Sequence, residues 1–521
     1  MAIKSDKSEK KTGRVSTYDG KFVGIESWNG AAVFHGIVYA RYGRFGMPEI
    51  VCYDGGHGGD DGAQSGVSGA YDATSYGCLC PQNLSHLLGQ LGPDSGIRVG
   101  EGELCLSVTV PPGVLRGEAS GVRNASFPDC GNPSLEREKL PVMVWIHGGS
   151  YLTGGSEDHR YDVSGLAADG NVAVVKISYR LGAEGYLWMP EAGVANLGLE
   201  DQKTALEWIR RHISSFGGDP GNVTVFGQSA GAHSIASLIA SADDVEPCTH
   251  VPRFGGRTLF RKAILQSPPL GIRISKEEAS DVTAKFLDRL AEIAGGRFAS
   301  ACPPGRRRKI CMDACRDGSI SLEQIIMAQD DVRHLRRGMT FMPVLPDNMR
   351  VPAPGTGFTE DETSGCGTEE LRFRAVLGYN AEDASPYARK ALGPLWHTPL
   401  GKLLTKVLTD RIFRKPVLRY GRRLSEAGIP VSVYRFGWHP EGSELGACHS
   451  IELPFLLGRP EDWKSAEMLS SITPDEFEHY GALLRKLWTG FARDGKLSEL
   501  LPGWPEEADR LYSASSGFMV W

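Results

Sequence analysis

Residues 222–232, Asn-Val-Thr-Val-Phe-Gly-Gln-Ser-Ala-Gly-Ala, constrain this chain more than any other stretch. Val223 to Phe226 form a short apolar run of strand character, and Ala232 to Ile239 continue as an apolar helix. Between them Gly227-Gln228-Ser229-Ala230-Gly231 fits G-x-S-x-G, which puts the serine on a very tight turn. Gly227 and Gly231 are expected to be small because neighbouring backbone passes close to both. The turn lifts the Ser229 hydroxyl above the end of the sheet, where a base can reach it. The following helix aims its first N–H groups at the same point. A glycine–serine turn without chemistry is the plain alternative, and the strand–turn–helix context weighs against it.

A serine hydroxyl is a poor nucleophile until a base takes its proton, and the reaction needs donors for the oxyanion that forms on the substrate. Val142 to Ile146 read as an apolar strand that runs straight into His147-Gly148-Gly149-Ser150. Small residues there let backbone N–H groups face a substrate. The N–H groups of Gly149, Ser150 and Ala230 are the predicted oxyanion donors.

Further apolar runs at Val172–Ser178, Lys262–Gln266, Arg374–Leu377 and Val431–Phe436 read as strands, and Val33–Ala40 as the clearest of several small N-terminal ones. Leu206, Ile209, Ile213 and Phe216 share one helix face, closed by Gly217-Gly218. Ser275 to Arg337 is helical in pattern, with Arg306 to Lys309 on a solvated face, and Leu483, Leu487, Gly490 and Phe491 recur at helical spacing. Strands alternating with helices predict an α/β fold: a central, mostly parallel sheet flanked by helices, with helical insertions. Loop composition marks 54–69, Arg123–Glu138 and Thr356–Gly367. Asp54, His57, Asp60 and Asp61 in the first of these read as solvated, since nothing there fixes a cation geometry.

The net charge of −6 leaves no basic footprint, which argues against nucleic acid as a partner. No run of about 18 apolar residues occurs, so no membrane span is expected. Met1 to Gly13 are polar and Lys-rich and are expected to be disordered, followed by a single domain over 14–521. Without a secretory signal the chain reads as intracellular, or as secreted only if a leader has been removed. The eleven cysteines form no CxxC pair, which argues against zinc. No metal or cofactor is implied, and oligomeric state is not legible.

Taken together, these segments resemble the type B carboxylesterase family, which includes the cholinesterases. The resemblance runs from about Gly24 to about Pro505 and rests on many ordered matches. Among them are Phe34 to Ala40, Val144 to Tyr151, Ser178 to Gly182, Asn196 to Gln202 and Ser215 to Pro220. The elbow, Leu259 to Ser267, His449 to Phe455 and Trp488 to Ala492 complete the set. It implies an α/β-hydrolase fold and hydrolysis of small-molecule carboxylic esters. By motif, Ser229 is similar to the nucleophile and His449 to the base, with His439 the weaker rival. Gly378-Tyr-Asn-Ala-Glu-Asp383 matches the segment carrying the acid and places it at Asp383, not Glu382, which is expected to face solvent or a nearby ion pair. Asp347 is the next candidate.

Three departures stand out. Gln228 replaces the family's usual glutamate, Ser150 its third glycine, and Asp383 its usual glutamate acid. The segment from Cys80 to Cys105 holds no tryptophan, so neutral esters are expected over choline esters. Cys80 and Cys105 occupy positions that the family commonly bridges, although the missing leader argues against a bridge here. An acyltransferase or lactonase with the same triad, a biosynthetic enzyme using the same pocket without hydrolysis, and an adhesion protein on the same fold are the alternatives.

Overall fold

Apolar runs too short for helices and too continuous for a one-sided sheet fit strands buried on both faces. The computed structural model describes residues 14–53, 70–83, 98–115, 138–242, 244–245, 252–296, 304–336, 339–345, 372–497 and 519–520. Every apolar run named above forms a strand there, and all belong to one sheet. Its strands are β1 (Arg14–Ser16), β2 (Phe22–Glu26), β3 (Ala32–Arg41), β4 (Glu103–Val110), β5 (Leu140–Ile146) and β6 (Ala173–Ile177). They continue with β7 (Gly218–Gln228), β8 (Lys262–Gln266), β9 (Arg374–Asn380), β10 (Val431–Phe436) and β11 (Met519–Val520), and two short side strands, Glu49–Ile50 on β3 and Tyr71–Asp72 on β2, complete the sheet.

The spatial order is β1-β2-β3-β4-β6-β5-β7-β8-β9-β10-β11. Pairing is antiparallel from β1 to β6 and parallel from β6 through β11. This is the α/β-hydrolase arrangement. Side chains alternate across each strand, so successive residues enter different cores. Val142, Val144 and Ile146 point into one core while Met143 and Trp145 point into the other. On the first face lie the helices Leu197–His212 and Ala230–Ala240, and on the second lie Ser164–Gly170 and Pro474–Asp494.

Several elements differ from the sequence reading. The helix carrying Leu206 ends at His212, and a 3₁₀ turn takes Ile213–Phe216. Gly217 alone caps it, at φ 84°, while Gly218 already opens β7. β4 was not anticipated, because Ser107 and Thr109 interrupt its apolar run. The helical region past Ser275 divides into Lys276–Ala294, Pro304–Arg316 and Leu322–Val332. Arg307 and Arg308 are not simply solvated, since both pair with Asp288. Helices Ser385–Leu392, Pro399–Thr409 and Lys415–Glu426 were also unforeseen, the last two joined by a π turn at Asp410–Arg414. Cys80 and Cys105 are buried free thiols. Among the described residues no helix is long and apolar enough to cross a membrane. The expectations for 1–13, for the loops at 54–69 and Thr356–Gly367, for most of Arg123–Glu138 and for Asp347 lie outside the described residues.

Candidate active site

β7 ends at Gln228, and Ser229 turns the chain into the helix Ala230–Ala240. Ser229 stands at φ 56°, ψ −123°, a region that costs a non-glycine residue on the order of 1–3 kcal/mol. Two contacts hold it there: its N–H donates to Gln266 O at 2.9 Å, and His233 N–H donates to Ser229 O at 2.8 Å. The flanking glycines are required for the reason the motif suggests. A β-carbon on Gly227 would lie 2.7 Å from the Ile146 carbonyl oxygen, and one on Gly231 would lie 1.9 Å from it. The end of β5 therefore presses directly against the turn.

Past β5, the His147–Ser150 segment wraps over the same point. A β-carbon on Gly148 would come within 3.2 Å of Ser229 Cβ, and one on Gly149 within 2.0 Å of Thr153 O. The chain folds back tightly, with Leu152 N–H and Thr153 N–H both donating to Gly149 O. Gly149, Ser150 and Tyr151 all have positive φ, at 111°, 58° and 61°. Ser150 thus holds a backbone conformation that glycine takes more readily. Among the described residues, nothing accepts from the N–H of Gly149 or Ser150. Ala230 opens its helix, where the first N–H groups have no partner inside the helix. His147 stacks on Tyr179 at 4.3 Å, and burial pulls its pKa down to about 4, so it is a neutral structural ring.

His449 lies beside the turn, with its Nδ1 2.8 Å from Asp383 Oδ1. Asp383 is fully buried, and its Oδ2 accepts from Asn380 N–H at 2.7 Å and from the Ser267 hydroxyl at 2.9 Å. The rings of Phe413 and Tyr387 flank His449, with centroids at 5.0 and 5.5 Å. Tyr387 is 43% exposed as a residue, and burial of its phenol pushes its pKa up. His439, the rival base, is exposed and faces its neighbour's carbonyl, Pro440 O, at 3.0 Å.

Glu382 does not take the place expected of it. Its Oε2 accepts from Ala447 N–H at 2.9 Å, and its own N–H donates to Ala447 O at 3.0 Å. It ties the turn carrying Asp383 to the loop carrying His449. Glu452, three residues beyond His449, was not singled out by sequence reasoning. It is 1% exposed, accepts from Asn380 Nδ2 at 2.7 Å and Gln266 Nε2 at 3.2 Å, and burial raises its pKa. Its place after the histidine in His449-Ser-Ile-Glu452 was the available signal.

The model of the Carboxylesterase family matches residues 11–391. The chain belongs to this family. It is 32% identical to para-nitrobenzyl esterase of Bacillus subtilis (strain 168), over 94% of this chain and 92% of that protein. It is also 32% identical to a probable N-octanoylanthranilate hydrolase of Rhodococcus erythropolis, over 91% of each chain. Liver carboxylesterase 1 of Oryctolagus cuniculus is 27% identical over 93% of this chain and 86% of that one. Among solved structures, a thermophilic para-nitrobenzyl esterase superposes with a TM-score of 0.67 at 28% identity, covering 95% of this chain and 93% of the other. This carboxylesterase is a serine hydrolase of carboxylic esters. One of its departures from the family pattern has a visible consequence: Gln228 Nε2 lies 3.1 Å from His449 Nε2.

Proposed function

We propose that Ser229 is the nucleophile, His449 the general base and Asp383 the triad acid, and that the substrates are neutral small-molecule esters. The observation that carries this reading is the line of contacts from Ser267 and Asn380 through Asp383 to His449 Nδ1. An acceptor on Nδ1 fixes the imidazole tautomer and leaves Nε2 free to take a proton. Ser229 Oγ attacks the acyl carbon and passes its proton to His449. The N–H groups of Gly149, Ser150 and Ala230 hold the oxyanion, each such donor being worth on the order of 10²–10³ in turnover. His449 then gives the proton to the leaving alcohol, and water releases the acid by the same route in reverse. Asp383 orients the ring through Nδ1 and stabilises the imidazolium.

Gln228 supports the preference for neutral substrates, because it puts no negative charge beside the nucleophile where the family has one. The sequence between Cys80 and Cys105 also offers no tryptophan face for a quaternary ammonium group. The relatives named for a para-nitrobenzyl ester and an N-octanoyl compound make small aromatic and medium-chain acyl compounds the first range to screen. Transfer to an alcohol, or opening of a lactone, would use the same groups.

A fluorophosphonate probe should label Ser229 and abolish ester hydrolysis, and Ser229→Ala should lose turnover by on the order of 10⁶, the scale set by removing a triad serine. Hydrolysis that survives in Ser229→Ala, or a choline ester cleaved faster than its isosteric neutral analogue, would overturn the corresponding half of the reading.

A further inference from the structure

The imidazole of His449 has two nitrogens and two partners. Nδ1 faces Asp383 Oδ1, and a carboxylate only accepts, so the neutral ring carries its proton on Nδ1 and presents a bare lone pair at Nε2. That lone pair meets Gln228 Nε2 at 3.1 Å. A bare lone pair needs a donor, so the amide NH₂ of Gln228 points at it. The amide oxygen turns the other way, toward Gly148, where a β-carbon would come within 3.2 Å of it. Among the described residues no hydrogen bond joins the Ser229 hydroxyl to His449. Gln228 is 2% exposed and is the last residue of β7. It cannot exchange this bond for one to bulk water, and the strand fixes its backbone.

We infer that Gln228 is a positioning residue of this esterase: its amide holds the resting base through Nε2, and His449 engages Ser229 by exchanging Gln228 for the serine hydroxyl as substrate enters. The inference rests on the assignment of Ser229 and His449 made above. It gives the residue before the nucleophile a role that a glutamate there would reverse, since a carboxylate accepts from the protonated ring whereas the amide NH₂ donates to the neutral one. Of the other charged groups near the ring, Asp383 contacts Nδ1, and the Glu452 carboxylate is bound to Asn380 and Gln266. The Tyr387 phenol and the Cys448 thiol lie close by with pKa values pushed up by burial, so both are neutral, and Glu382 is tied to Ala447 N–H behind the loop. Phe413 packs on the ring without charge. Gln228 is thus the group that meets the Nε2 lone pair.

The test is the pH profile of kcat/KM on a neutral para-nitrophenyl ester, with the rate of phosphonylation by a fluorophosphonate, for wild type, Gln228→Glu and Gln228→Met. Gln228→Glu should move the acid limb upward by about one pH unit, a tenfold change in proton affinity. Gln228→Met keeps the length and removes the donor. It should move the limb upward by less and, because the base is released, raise the phosphonylation rate on the plateau several-fold. Limbs of both folded variants that superimpose on wild type to within about 0.2 pH units would overturn the inference. Urea midpoints establish folding, and if the glutamate variant does not fold, the methionine variant decides alone. Ser229→Ala separates the levels. If it is inactive while the Gln228 variants match wild type, only this inference falls; if it retains hydrolysis, the assignment beneath falls as well.

Discussion

Asp383 and Glu184 are both carboxylates sealed inside this protein, and their surroundings could hardly differ more. Asp383 has three donors on two oxygens: the Asn380 N–H, the Ser267 hydroxyl and His449 Nδ1. All three point at carboxylate lone pairs. Glu184 lies in the short helix Gly182–Tyr186, beside Tyr42 just past the end of β3. Among the described residues its side chain has one hydrogen bond, a long one of 3.5 Å from the Tyr42 hydroxyl to Oε2, and its Oε1 is buried without a partner. The cation that offsets it most, Arg180, is spent elsewhere: Nε and Nη2 bind Asp201, and Nη1 binds Gly46 O. Burial accordingly pushes the Glu184 pKa up to about 7, the Arg180 charge offsetting only part of it. Burial alone therefore does not make a working acid. Directed donors make one, and a site without them holds a carboxyl group that resists ionising.

The sharpest way to break this contrast is Asp383→Asn. The amide can present an N–H where His449 needs an acceptor, so the ring loses its tautomer. Turnover should fall by on the order of 10⁴, the reference loss for this exchange in a serine triad. The urea midpoint should move far less than activity does. Retained turnover would place the acid elsewhere.

Glu184→Gln tests the other pole, and its signature is a stability that depends on pH. The folded acid ionises near pH 7 and the unfolded one near its ordinary 4.5, so between these values the folded chain binds more protons. Stability therefore falls as pH rises through that window. A glutamine resembles the protonated acid and does not titrate. The variant should match wild type in stability at pH 4 and exceed it at pH 8, by about 3 kcal/mol, the 2.5 units between about 7 and 4.5 at about 1.4 kcal/mol each. Equal midpoints at both pH values would show that Glu184 ionises without cost.

What the sequence disclosed follows the range of each interaction. The elbow was legible because its requirements are local: Gly227 and Gly231 admit no β-carbon against the Ile146 carbonyl, and the motif writes that constraint into five residues. The parallel strands were legible because burial on both faces demands an apolar run. Asp383 and His449, 66 positions apart, came only through resemblance, since nothing in either segment announces the other. The Gln228–His449 contact spans 221 positions and depends on which way a side-chain amide turns. Gln228 was visible as a departure, but its partner was not. Glu184 offered no signal at all, because a glutamate inside a short helix reads as an exposed one until its neighbours are known.

Glu382 refines the comparison most finely, being a carboxylate next to Asp383 with a different task. Its Oε2 accepts from Ala447 N–H, its backbone pairs with Ala447 O, and Gly446, at φ 65°, lies against the carboxylate. Two residues past Ala447 stands the base. The contact fixes where His449 sits and takes no part in its charge. A glutamine keeps an acceptor for Ala447 N–H and loses only the charge on it, about 0.5–1 kcal/mol of a charge-assisted bond. Glu382→Gln should accordingly lower kcat/KM by about two- to fivefold, with the pH limb unmoved, since 1.4 kcal/mol corresponds to tenfold. Glu382→Ala removes the acceptor, frees the loop and should cost roughly tenfold. Steady-state kinetics of both, beside Asp383→Asn, separate holding the base from charging it. A loss in Glu382→Gln as deep as that in Asp383→Asn would mean that Glu382 is the acid, and that the three donors on Asp383 serve only the fold.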